Sequence, residues 1–322
     1  LAAALQNAGF DGTIITPSYS PLLLGAPGYD GVFVNTQFSM DPEVPANAAM
    51  LEAVKAVAPE QKLNLAVSAG YWVTDMFIKA LEETGEDLTE RMRAFSQRFL
   101  QGLGEVEGFL LKNRSPSCAL KDAKRYAHAE GGGVVGKGPG LFAQAVEEAF
   151  PLLPKEDEGR LTNPRIRAHF FTRIFALARL RRVEDLPGLM AFHARYKLLL
   201  LAYNQKEARA LGRLLAGARG RPFPEVHGAY EEGFLRATER PWRLGAMADA
   251  LLHAFGFFKK ALAPREKAHF LDLLADFREE RLPLEAPLAL LASWARRFAE
   301  PYVEAQALLE PYPRALMHVP GA

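Results

Sequence analysis

From Leu186 to the C-terminus, apolar residues recur three and four positions apart with charged residues between them, and β-branched residues are scarce. That is the period of an amphipathic helix. The spacing predicts helices over Leu189–Ala202, Gln205–Ala216, Val226–Arg240, Ala246–Leu262, Pro264–Arg281, Leu284–Phe298 and Tyr302–Leu309, with no strand among them. The first half reads differently. Short apolar runs at 12–17 and 31–35 alternate with helical stretches, one from about Ala46 to Val57 and one from Gly70 through Trp72, Met76, Phe77, Ala80 and Leu81. Strand and helix in alternation predict an α/β layer. A further helix begins just after Gly85, with Asp87 or Thr89 as its cap. An apolar run from Gly108 predicts a short buried strand that enters a turn at Ser115, Pro116 and Ser117. A glycine-rich loop at 131–140, a helix over Leu141–Ala149 and another ending near Arg182 complete this part. The predicted fold class is α/β fragments in the N-terminal half followed by an all-α helical domain.

Charge divides the chain at nearly the same place as the pattern does. Residues 1–90 hold 12 acidic residues against 3 lysines and no arginine, net −9. Residues 91–322 hold the remaining 26 acids and 36 bases, net +10. So uneven a usage predicts two segments of separate origin. No run near the roughly 20 residues that a membrane helix needs is free of charge or of Pro and Gly breaks, so no membrane association is expected. The sequence opens at Leu1 with neither an initiator methionine nor a signal region, which predicts a lost front portion, and a single cysteine predicts a cytoplasmic location.

One cysteine, Cys118, excludes an internal disulfide and any all-cysteine metal site within these 322 residues. On residue type alone Cys118 reads as a small buried hydrophobe. Ser115 and Ser117 read as residues that tighten a proline turn. Gly131, Gly133 and Gly136 satisfy the spacing of a phosphate loop, but Gly138 follows Lys137 where a magnesium-binding Ser or Thr is required, so a glycine-rich hairpin is expected instead. Seven histidines form no His-Glu-x-x-His pair and there is no Gly-x-Ser-x-Gly elbow, which leaves hydrolase and zinc readings without support. His253, in an apolar helix, is expected to be a satisfied core histidine.

The helical part carries its bases in clusters: Arg195 with Lys197, Lys206 with Arg209 and Arg213, Arg219 with Arg221, Lys259 with Lys260, and Arg296 with Arg297. Clustered bases neutralise phosphates and release counterions, and Tyr196, Tyr203 and Trp242 are the aromatics available to stack on unpaired bases. Glu207, Glu231, Glu232, Asp249, Glu266, Asp272 and Asp276 are interleaved, as on an ordinary solvated helix face. His193 and Lys197, four apart, share a face that reads equally as a polar stripe or as part of a binding motif. The candidate RNA contacts are His193, Arg195, Lys197, Lys206, Arg209, Arg213, Lys259 and Lys260. A helical protein-interaction module without RNA is the competing reading.

Three resemblances add to this picture. The phrases Ala8-Gly-Phe-Asp-Gly-Thr-Ile14, Tyr29-Asp-Gly-Val-Phe-Val34 and the stretch from Gly70 to Gly85 resemble the later part of ligand-binding proteins of branched-chain amino-acid ABC transporters, over residues 1–89. Most of both lobes of such a protein would be absent, so no small-molecule binding is expected there. Arg114-Ser-Pro-Ser-Cys118, Gly138-Pro-Gly-Leu-Phe142 and Glu158-Gly-Arg-Leu161 resemble the C-terminal part of a thiouracil desulfidase domain, over residues 90–185. The run from Phe192 to Gln205, Leu211-Gly-Arg-Leu-Leu-Ala216, Gly256-Phe-Phe-Lys-Lys-Ala-Leu262 and Glu300-Pro-Tyr302 resemble the YbgA-like domain, over residues 186–322. The desulfidase resemblance implies that Cys118 is one of three cysteines holding a [4Fe-4S] cluster, with Ser115 and Ser117 as candidate catalytic contacts to the substrate base. Thiolates suit such a cluster because iron-sulfur cores prefer soft ligands. With no other cysteine in the chain, no bound cluster and no desulfidation are expected. Ala119 stands where that family has glycine. The pairing of desulfidase and YbgA-like domains implies 4-thiouridine in transfer RNA as the context, and the join near 85–89 is read as that of a chimera.

Overall fold

A computed structural model describes residue 87, residues 89–127 and 133–317, and the strands at 14–16 and 32–34. The helices expected at 46–57 and from Gly70, and Gly131 of the glycine loop, lie outside the described residues. The chain divides into two compact units between Arg167 and Ala168.

The first unit contains a parallel sheet. Strands β1 (Ile14–Thr16), β2 (Val32–Val34), β3 (Gly108–Leu111) and β6 (Lys155–Asp157) lie in the order β2-β1-β3-β6. All three pairings are parallel, with Ile14 opposite both Val32 and Gly108, and Phe109 opposite Lys155. The sheet therefore draws two strands from residues 1–89 and two from later residues. Phe109 and Leu111 of β3 are buried, as expected of a strand inside a parallel sheet. Helix α1 (Thr89–Gln101) starts where Asp87 accepts the Thr89 amide at 2.9 Å; hydrogen bonding from the Thr89 side chain, then from this amide, holds the Asp87 carboxyl below the usual range. Met92, Ser96 and Leu100, four apart, form its buried stripe. Helix α2 (Leu141–Ala149) meets it through Phe99 and Phe142, whose ring centres are 5.9 Å apart. Strands β4 (Ala123–Tyr126) and β5 (Val134–Gly138) pair antiparallel as a separate two-stranded sheet. Gly136 and Gly138 of the glycine-rich stretch thus lie in a paired hairpin strand, as expected, and not in a phosphate loop.

The second unit is helical. Helix α3 (Pro164–Arg181) crosses the division at 167/168 and contributes Ala176 and Leu180 to the helical core. The boundary expected at 185/186 falls just after this helix. Helices α4 (Leu186–Tyr203), α5 (Gln205–Ala216), α6 (Phe223–Ala237), α7 (Leu244–Gly256), α8 (Pro264–Arg278), α9 (Glu285–Arg297) and the short α10 (Pro301–Glu304) follow. Asp185 caps α4 by accepting the Gly188 amide at 2.7 Å, and Asn204 caps α5 by accepting the amides of Lys206 and Glu207. Aromatic packing dominates the core: Phe192 stacks on Tyr196 at 4.2 Å, and Phe255 on Phe270 at 4.6 Å. Such pairs contribute about 0.5–1.5 kcal/mol each beyond burial.

Several helices end earlier than the pattern predicts. α6 stops at Ala237, where the Thr238 hydroxyl bonds back to the Phe234 carbonyl at 2.9 Å. α7 stops at Gly256, a residue of low helix propensity, and 257–262 continue as turns. The expected helix 302–309 ends at Glu304 because the next residues bond to α4 instead: Gln306 accepts the Leu198 amide at 3.2 Å, and the Ala307 amide donates to the Arg195 carbonyl at 2.9 Å. His253 is exposed on the outer side of α7, while Leu251, Ala254 and Phe255 turn inward. It is not the core histidine that the sequence suggested.

Candidate functional site

The carboxyl ends of adjacent parallel strands are where open α/β sheets place their ligands. Here β3 and β6 deliver their following loops to one spot. After β3, Arg114 takes a left-handed φ of 57° and its amide donates to Asp122 at 2.8 Å, which turns the chain into Ser115-Pro116-Ser117-Cys118. The Ser115 hydroxyl accepts the amides of Ser117 at 3.3 Å and Cys118 at 3.2 Å, and lies 3.2 Å from the Ser117 hydroxyl. The Ser117 hydroxyl is 3.2 Å from the Cys118 sulfur. The structure thus brings Ser115, Ser117 and Cys118 into one chain of polar contacts.

This turn is held from the other side by α2. The amides of Phe142 and Ala143, in its first turn, donate to the Ser117 carbonyl at 2.9 and 3.0 Å, and the Leu141 amide donates to the Pro116 carbonyl at 3.2 Å. A Cβ at Gly140 would sit 2.2 Å from the Ser117 carbonyl carbon, so only glycine permits the approach. From β6, Glu158 accepts the Asn113 amide at 3.0 Å and pairs with Lys112. Asp157 accepts the Arg160 amide at 2.8 Å, and Glu156 pairs with the Arg160 guanidinium at 2.6 Å. The sequence pointed to Glu158-Gly-Arg-Leu as a distinctive phrase, but its role as a clasp on the Cys118 loop depends on a partner 45 residues away.

Cys118 is buried, and burial pushes its thiol pKa up, with Glu158 adding to the rise and the two serine hydroxyls opposing it. A neutral buried thiol is a poor nucleophile. No group of three His, Cys, Asp or Glu residues among the described residues is arranged to hold a metal ion. Cys118 is the chain's single thiol, so the donor set does not fit a cluster that needs three thiolates.

In the helical unit Arg195, Lys197, Lys206, Arg209, Arg213, Lys259 and Lys260 are all exposed. Among the described residues none of these seven pairs with a carboxylate. Other arginines of the same unit do: Arg181 with Glu231, Arg221 with Glu225, Arg236 with Glu232, Arg278 with Asp249, Arg281 with Asp276 and Arg297 with Glu266. On α5, Lys206, Arg209 and Arg213 are spaced three and four apart and so share one face. His193 does not belong to a solvated stripe. It is half-buried, its Nδ1 lies 3.0 Å from the hydroxyl of fully buried Tyr230, and burial followed by the charge of Lys197 lowers its pKa. Its Nε2 faces Gly212 of α5 across the helix pair. Tyr196 is fully buried, with its hydroxyl accepting from Arg179 at 2.9 Å, so it offers no stacking platform. Tyr203 is likewise occupied, its hydroxyl 3.0 Å from His169 Nδ1. Trp242 is partly exposed and packs on Phe277. Neither Tyr230 nor Arg179 was visible in the sequence as a partner, because nothing local marks them.

Residues 29–158 match the family model of 2-thiouracil desulfurase. Over that stretch the chain is similar to a 2-thiouracil desulfurase domain. That match runs through 85–89, so it covers the join as well as part of the stretch read as transporter-like. Residues 197–313 match a second model, a protein family of unknown function called DUF1722. The uncharacterized protein YbgA of Escherichia coli (strain K12) is 26% identical over 149 residues, 45% of this chain and 88% of that protein. No solved structure matches the chain. Among the described residues, no helix is long and apolar enough to cross a membrane.

Proposed function

We propose that the chain joins a thiouracil-desulfurase-related α/β domain to a helical domain that holds transfer RNA, and that these 322 residues do not themselves assemble the [4Fe-4S] cluster of the family. The observation that carries the RNA reading is the contrast in ion pairing. Seven exposed bases lack a carboxylate partner among the described residues, in a unit where other arginines have one. Unpaired surface bases gain most from phosphate, because binding releases condensed counterions without breaking an internal pair. In the α/β domain the Ser115 and Ser117 hydroxyls, joined to Cys118 in one chain of polar contacts, support a role in contacting a substrate base there. The lone buried thiol supports the reading that desulfidation is absent, and the cytoplasm as its location follows from the RNA partner. A transporter-like origin for residues 1–89 competes with a desulfurase match that begins at residue 29.

Retention of transfer RNA by the full chain on a filter, across a salt series, tests the RNA reading. Contacts to about six phosphates predict affinity falling roughly a thousandfold between about 50 and 200 mM salt. Absence of binding at low salt overturns it and leaves the helical domain as a protein-interaction module. Iron and acid-labile sulfide analysis after anaerobic reconstitution tests the other half, with a stoichiometric cluster as the contradicting result.

A further inference from the structure

We infer that the β4–β5 hairpin of the α/β unit is a contact surface for single-stranded RNA leading to the Cys118 turn. It shares an RNA partner with the function proposed above, but not a surface. Lys124 and Lys137 are directly opposite one another across the two strands, and both are exposed. Like charges in that position destabilise a hairpin, and no Asp or Glu occurs at 123–127 or 133–140 to relieve them. Among the described residues, neither lysine nor Arg125 pairs with a carboxylate. A polyanion supplies the missing countercharge.

Arg125 ties this charge to the candidate site. Its guanidinium lies against the backbone of Gly138, where a Cβ would come within 2.4 Å of Nη2. Two residues further on, Gly140 packs on Ser117 beside Cys118. The ribbon therefore runs from its exposed strands into the cysteine turn through Gly138-Pro139-Gly140. Tyr126 is 49% exposed, and an exposed ring beside cations is the usual platform for an unpaired base. Lysines on a two-stranded ribbon also block the addition of a further protein strand, which favours nucleic acid over strand pairing.

The test uses the full chain and a fluorescent oligouridylate, with anisotropy read over a salt series. The triple variant Lys124→Gln, Arg125→Gln, Lys137→Gln is expected to bind at least about tenfold more weakly. Its log–log salt slope should fall by about 2, at roughly 0.7 per phosphate on a single strand. Tyr126→Ala is expected to lose about tenfold with the slope unchanged. The hairpin should melt no earlier in the Lys137→Gln variant, since that change removes repulsion. Binding by the triple variant within twofold of the parent at the same slope overturns the inference, as does equal competition by poly-glutamate of matched charge. If Lys206→Gln, Arg209→Gln, Arg213→Gln abolishes binding and the hairpin variant does not, the hairpin inference fails and the RNA function stands. If the parent binds neither oligouridylate nor transfer RNA, both fail.

Discussion

The two units place their polar groups in opposite ways. At the Cys118 turn most side-chain partners are near in sequence: Ser115 holds the amides of Ser117 and Cys118, and Asp122 holds that of Arg114, with Glu158 on the Asn113 amide as the distant exception. In the helical unit the polar groups inside the core bond across long separations. Arg179 reaches Tyr196 and the Pro311 carbonyl, 132 residues away, and His193 reaches Tyr230. A locally wired turn can be written into a short motif. A core wired at a distance leaves only an apolar stripe in the sequence, and its polar partners are set by packing.

The largest effect should come from breaking the distant wiring. Tyr196→Ala removes a fully buried ring stacked on Phe192 and leaves Arg179 without its phenol. A loss of about 3–5 kcal/mol is expected, read by urea denaturation with the fluorescence of core Trp294. In the α/β unit, Gly140→Ala forces a methyl into the Ser117 backbone and should cost about 1–3 kcal/mol. Its signature is faster reaction of Cys118 with a thiol reagent.

A pH series separates the units more gently. Burial, then the charge of Arg173, lowers the His169 pKa to about 3. The unfolded chain takes up a proton near 6.5 while the folded chain does not, so this stabilisation is complete above pH 6.5 and declines as pH falls toward 3. Between pH 6.5 and 5, where most carboxylates have yet to titrate, stability should drop by about 1.4 kcal/mol per unit. His169→Gln should flatten that slope. The smallest effect is expected of Ser115→Ala, which removes one acceptor shared by two amides and should cost about 1 kcal/mol; a change beyond 3 kcal/mol would make that hydroxyl a structural keystone.

Much of the fold was legible because period and composition are local properties. The strands at 14–16, 32–34 and 108–111, the helix over Leu141–Ala149 and the start of α5 all lie where apolar spacing placed them. Helix ends were less legible: α10 gives way at Glu304 because Gln306 and Ala307 find better partners on α4. The serines and the cysteine of the site were legible as a motif. Burial of Tyr196 and of the His193 ring was not, since a tyrosine between bases looks the same whether it faces solvent or the core. His253 misled for the same reason: an apolar neighbourhood in sequence does not say which side of the helix a residue occupies.

The central claim is that the unpaired bases of the helical unit, and not its total charge, recognise RNA. Two triple variants with equal change in charge test it, Lys206→Glu, Arg209→Glu, Arg213→Glu against Arg221→Glu, Arg236→Glu, Arg278→Glu, each measured for transfer RNA binding at a fixed low salt. The first should lose at least about a hundredfold and the second less than about fivefold, since Arg221, Arg236 and Arg278 already have carboxylate partners. Equal losses in the two variants, or none in the first, would contradict the claim.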